Sequence, residues 1–198
     1  ISWKAIQKPD KTLANGVESI TTGIAQCEDQ LVSILDFEKI VAEISPETTI
    51  QVSEVESLGV RPINNSPIMG VEDSVLLRRM IDDSLERAGF TQISNFNSGQ
   101  EAWNYLRSIS EDPALYQKVN LIITDIEMDG HRLTKLVKEH PNLKKLPVVI
   151  FSSLIDEQMR KKGEELGADE QLAKPEIGKL ITILDDLLDR FKRQTANY

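Results

Sequence analysis

A chain of 198 residues, 40% hydrophobic and 28% charged, suits one ordinary globular domain with something smaller attached. Its 32 acidic against 23 basic residues leave a formal charge of -9, which weighs against nucleic acid as a partner, since phosphate backbones are bound by clustered lysine and arginine. The single cysteine, Cys27, has no partner for an internal disulfide, and no run nears the ~20 apolar residues of a membrane span, so a cytoplasmic protein without membrane insertion is expected.

No signal-peptide pattern opens the chain, and its first residue is Ile1 and not Met, as in a segment of a longer polypeptide. Residues 17–25 and 31–36 read as two strands joined by a polar turn at Cys27-Glu28-Asp29-Gln30, and Phe37 to Val41 as the start of a short helix. About 45 residues of this kind bury too little surface to be stable alone. From about Ile44 to Pro67 the chain is rich in Ser, Glu, Thr, Pro and Asn without sustained periodicity, which reads as a linker. The expected division is therefore residues 1–45, a linker over 46–65, and a larger domain over 66–198.

Downstream, strands at 67–72, 91–96, 119–125, 147–152 and 170–173 alternate with helices at 74–88, 99–109, 131–138, 156–166 and 177–191. Such a βαβ alternation implies a five-stranded parallel sheet in a doubly wound α/β fold. Leu77, Met80, Ile81, Leu85 and Ala88 share one helical face, and Gly89 follows where a left-handed cap is wanted. Ser98 with Glu101 forms a capping box, Gly167 stops the helix before it, and Leu180, Leu184, Leu187, Leu188 and Phe191 make a core-facing stripe on the last helix.

In an open parallel sheet the carboxyl ends of the strands share one edge, where ligands bind. Ile68-Met69-Gly70-Val71 ends in Glu72-Asp73, Leu121-Ile122-Ile123-Thr124 ends in Asp125, Val148-Val149-Ile150-Phe151 ends in Ser152-Ser153, and Glu170-Gln171-Leu172-Ala173 ends in Lys174-Pro175. A single Asp or Ser at a strand end is ordinarily a turn or helix cap; the signal is the joint occurrence. Two unit charges ~4 Å apart repel by about 4 kcal/mol at an effective dielectric near 20, so Glu72, Asp73 and Asp125 brought together hold either a proton or a cation. Their hard oxygens suit Mg²⁺. Asp125 can then take a phosphoryl group as an acyl phosphate, with Mg²⁺ and Lys174 neutralising its charge and the Ser152 hydroxyl donating to a phosphoryl oxygen. His131 and His140 lack metal-ligand companions and read as helix-surface residues.

At these residues the chain resembles the receiver domains of two-component response regulators, over about Ser66 to Arg190. The resemblance implies a flavodoxin-like (βα)5 fold in which Glu72 and Asp73 are the metal-binding acidic pair, Asp125 the phosphoacceptor, Ser152 the switch hydroxyl with Ser153 beside it, and Lys174 the site lysine. It also implies that Glu127 lends its backbone carbonyl to Mg²⁺. Ile1 to Ile6, Thr22-Gly23-Ile24 and Leu31 to Ile40 look like the end of a β-rich CheW-type coupling domain, and Asp129-Gly130-His131-Arg132-Leu133 resembles the receiver of CheV-type chemotaxis adaptors.

That likeness implies an adaptor, not an enzyme, which couples chemoreceptors to a CheA-type histidine kinase, with phosphorylation of Asp125 tuning the coupling. Two features depart from receivers. The stretch after the acceptor, Met128-Asp129-Gly130, is about three residues short, and Gln171 stands where an aromatic switch residue is frequent. The alternatives are a Mg²⁺-dependent phosphatase with an aspartyl nucleophile, in which Glu127 would be the second acid, and a stand-alone phosphate sink.

Overall fold

The expected hairpin forms, with its first strand displaced toward the turn. β2 (Thr21–Cys27) and β3 (Gln30–Leu35) pair antiparallel from Cys27↔Gln30 to Thr21↔Leu35, with a register shift between Thr21 and Gly23. A third strand, β1 (Ile6–Gln7), joins β2 through Ile6↔Ala25 and Gln7↔Ile24; two residues are too few for a periodic pattern to announce. The computed structural model describes residues 6–7, 21–27, 30–35, 52–126, 130–153 and 155–195, so the helix expected from Phe37 to Val41 lies outside the described residues. The three strands belong to a unit of Ile1–Thr49, and a second unit covers Ile50–Tyr198.

The second unit begins inside the stretch read as a linker. There α1 (Val52–Ser57) forms, and Val55, 3% exposed, joins the apolar cluster of Ile177, Leu180 and Ile181. A helix of six residues cannot hold itself in water, so it is tertiary contact that folds this segment. The chain that follows is also held: Asn64 N donates to Gly89 O at 2.8 Å, and Asn64 bridges to Phe90. Gly89 has φ +94°, and any side chain there would meet the Pro62 carbonyl oxygen at 2.6 Å, so this close approach demands glycine.

β4 (Ile68–Val71), α2 (Val75–Arg87), β5 (Ile93–Phe96), α3 (Gly99–Ile109), α4 (Leu115–Lys118), β6 (Leu121–Thr124), α5 (Gly130–Glu139), β7 (Val148–Ser152), α6 (Glu157–Glu165), β8 (Glu170–Ala173) and α7 (Ile177–Thr195) complete the unit. The strands form one parallel sheet in the order β5-β4-β6-β7-β8, the flavodoxin-like doubly wound arrangement. Of these elements only α4 has no counterpart among the expected ones. Its four residues, like those of β1, are too few to show a period.

Alternate residues of each central strand serve opposite faces. Ile68, Leu121, Ile123, Val149 and Phe151 join α2, α7 and α1 in one core, while Met69, Val71, Ile122 and Val148 join α3, α4 and α5 in the other. Both faces being covered, β6 and β7 are buried along their whole length and read as unbroken apolar runs. α6 differs, since Gly163 is its one buried residue. Ser74, Ser98 and Asp156 cap α2, α3 and α6 by accepting from Leu77 N, Glu101 N and Met159 N, which satisfies backbone donors that the first turns leave open.

Because α1 is held by its burial, Val55→Ala is expected to destabilise the second unit by about 2 kcal/mol. A thermal melt would show this as a lowering of roughly 4–8 °C for a unit of this size, whereas an unstructured linker would show no shift.

Candidate functional site

Register brings the strand ends together. Val71 pairs with Thr124, Thr124 with Ile150, and Ser152 with Ala173, so Glu72, Asp125, Ser152 and Lys174 emerge on one edge of the sheet. They are 5%, 3%, 1% and 1% exposed. Lys174 Nζ donates to Glu72 Oε2 at 2.7 Å and to Asp125 Oδ2 at 2.5 Å. Residues 102 and 49 positions away in the chain thus share one buried ammonium.

Burial acts first on the charges of Lys174 and Glu72, because a desolvated ion loses its hydration. It pulls the Lys174 ammonium toward deprotonation, but the hydrogen bonds it donates to Asp125 and Glu72, with their negative charge, outweigh that and hold its pKa above the usual lysine value. For Glu72 the balance is opposite: burial raises its carboxyl above the usual range, and Lys174 recovers only part of the loss. Glu72 Oε1 also accepts from Ser74 N at 3.1 Å, which ties the carboxylate to the start of α2.

Asp73, expected to complete the acidic trio, is exposed. Among the described residues no three His, Cys, Asp or Glu side chains are drawn into a metal-holding group; Lys174 occupies the space between Glu72 and Asp125. Glu127 lies outside the described residues. The donors suit a hard divalent cation all the same, being carboxylate oxygens at an open sheet edge with a net deficit of positive charge.

The Ser152 hydroxyl is buried without a hydrogen-bond partner, and its backbone carbonyl accepts from Lys174 N at 3.0 Å. A buried, unpaired donor costs stability, and such groups are retained where something else engages them. Ser153, half-buried, follows it.

Three residues near the edge carry more than their sequence announced. Gln171 is buried against α6, where its Nε2 donates to Arg160 O at 2.7 Å while Arg160 returns a hydrogen bond to Gln171 O at 3.2 Å. Gly163 makes this possible, because any side chain there would collide with the Gln171 amide. Gly130, at the start of α5, leaves no room for a side chain beside the Asp125 carbonyl oxygen. His131 corrects an expectation. It is buried and not on the helix surface, its Nε2 has no hydrogen-bond partner, and burial, with nearby Lys162, lowers its pKa. His140, partly exposed, lies edge-on to Trp103 at 6.0 Å.

The profile of the response regulator receiver domain matches residues 68–185. Chemotaxis protein CheV2 of Helicobacter pylori is 26% identical over 183 residues, 89% of this chain and 56% of that protein, so the chain spans little more than half its relative's length. A probable chemotaxis protein CheY of Rhizobium etli is 30% identical over 111 residues, 54% of this chain and 80% of that protein. Among solved structures, the phosphorylated cyanobacterial phytochrome response regulator RcpA superimposes with a TM-score of 0.52 at 26% identity, covering 63% of this chain and 91% of its own. No helix among the described residues is long and apolar enough to cross a membrane. A matched span that runs from β4 into the first half of α7 and includes Glu72, Asp125, Ser152 and Lys174 makes this chain a member of the response regulator receiver domain family.

Proposed function

We propose that Asp125 is a phosphoacceptor and that the chain is a chemotaxis adaptor whose receiver takes its phosphoryl group from a CheA-type histidine kinase, so modulating the coupling of receptors to that kinase. The observation that carries this reading is the buried ammonium of Lys174 held between Asp125 and Glu72. An O–P bond forms at an Asp125 carboxylate oxygen as the donor's P–N bond breaks. Lys174 stays beside the product to neutralise the added negative charge, and the unpaired Ser152 hydroxyl turns to donate to a phosphoryl oxygen.

Glu72, Asp73 and Asp125, with the carbonyl of Glu127, would hold Mg²⁺, which when bound offsets the charge of the transferring group. The relatives support the chemotactic setting, since CheV2 and CheY both carry chemotaxis in their names. The phosphorylated form of RcpA supports the acceptor chemistry. Residues 1–45, within the first unit, are the segment that we assign to the C-terminal part of a CheW-like coupling domain, which would bind receptors and kinase in the cytoplasm.

Asp125→Asn is expected to abolish incorporation of phosphate from acetyl phosphate in the presence of Mg²⁺; labelling at the wild-type stoichiometry would place the acceptor elsewhere. Ser152→Ala removes a buried donor that has no partner, so chemical denaturation should find the variant no less stable than wild type, by about 0–1 kcal/mol in its favour. The same variant should bind beryllofluoride more weakly. A loss of stability with unchanged beryllofluoride binding would show the hydroxyl to be structural.

A further inference from the structure

We propose that residues 52–61 are a strap that passes the state of the Asp125 edge to the chain upstream, an inference that rests on the reading of Asp125 as phosphoacceptor. The connection from the site to α7 is stiff. Lys174 N donates to Ser152 O at 3.0 Å, which joins the two groups that would contact a phosphoryl. Pro175 has a fixed φ. Glu176 N donates to Ala173 O at 2.9 Å, and the Glu176 carboxylate accepts from Ala173 N at 3.0 Å. A displacement of Lys174 or Ser152 is therefore carried into the first turn of α7 and not absorbed in a slack loop.

That first turn is where the strap is attached. Gly178 N donates to Glu54 Oε2 at 3.0 Å, and a side chain at Gly178 would press on Glu54 Cβ at 3.1 Å. The carboxylate thus caps an α7 backbone donor from 124 residues away and sits at the positive end of the helix dipole. Two turns further along α7, Asp185 pairs with Arg61, whose Nε also donates to the Ala88 carbonyl oxygen at 3.0 Å. Between these two ties Val55 is buried and Leu58, partly buried, packs against the same core.

The strap has two discrete states available to it. Docked, it is a helix; released, a segment of six residues without partners loses its helical structure. Among the described residues, the Val55 and Leu58 side chains, the Glu54 hydrogen bond and the ties of Arg61 to Asp185 and to the Ala88 carbonyl hold the docked form, a small set of contacts that a movement of Gly178 can bias. An element with two arrangements whose balance a site shifts is what carries coupling between distant parts of a chain. By linkage, the docking of the strap must in turn alter the affinity of the phosphoryl site.

Amide hydrogen exchange on the full chain, with and without Mg²⁺ and beryllofluoride, tests this. The Leu58 amide, which donates to Val55 O at 3.1 Å and closes α1, should change its exchange rate about fivefold or more on beryllofluoride binding. Glu54→Ala should shift the beryllofluoride midpoint by a comparable factor, and Glu54→Gln, which keeps an acceptor oxygen, should restore it. Shifts at the Ser152 and Lys174 amides with unchanged exchange at Leu58, or a Glu54→Ala midpoint equal to wild type, would overturn the strap alone. An absence of change at Ser152 and Lys174 as well would overturn the acceptor reading and the strap with it.

Discussion

One ammonium group organises the edge of the sheet where Glu72 and Asp125 meet. Lys174 Nζ lies between the carboxylates of Glu72 and Asp125, all three side chains buried. Their formal charges sum to -1, and a buried excess charge is expensive unless it is neutralised. The raised pKa of Glu72 is one expression of that imbalance. Recruitment of a cation would be another, and an incoming phosphoryl group can be accommodated only if further positive charge accompanies it. The lysine thus makes the burial of two carboxylates tolerable while leaving the trio one positive charge short of balance.

The rest of the unit serves to hold those three groups in place. The strands that deliver Glu72 and Asp125 are neighbours in the sheet, while β8, which delivers Lys174, is separated from β6 by β7. The lysine side chain must therefore reach across β7, whose terminal Ser152 lies along that path and gives its carbonyl to Lys174 N. Two apolar cores, one on each face, fix the strands against sliding, and a slip of one residue would turn each of these side chains to the wrong face.

Attachment is uneven around this frame. α2, α3, α5 and α7 bury apolar stripes, whereas α6 offers the body Gly163 and a pair of hydrogen bonds between Arg160 and Gln171. Gln171 stands where related receivers often carry an aromatic, and its amide, seated in the Gly163 notch, makes a polar clamp in place of a ring that could rotate. The helix that follows the Ser152 loop is therefore the one held least by hydrophobic burial, and elements of that kind are the first to open.

Apolar runs broken by Glu72-Asp73, Asp125, Ser152 and Lys174-Pro175 were enough to foresee a doubly wound sheet with Glu72, Asp125, Ser152 and Lys174 on one edge of it, because parallel strands buried on both faces leave an unmistakable hydrophobic trace. Glycine at 89 and 167, serine at 98 and the leucine stripe of the last helix were legible for the same reason: local backbone geometry and helical period are properties of short windows. What no window contains is the choice of partner. Asp73 adjoins Glu72 in sequence yet faces solvent, His131 turned inward where a surface position was expected, and Glu54 found its donor on a helix 124 residues later. The residue types and their order along the chain determined which chemistry could assemble; only the tertiary structure decided which charges share a burial site and that a segment read as linker would fold, since both depend on free energies of desolvation and packing that exist only once distant parts of the chain are in contact.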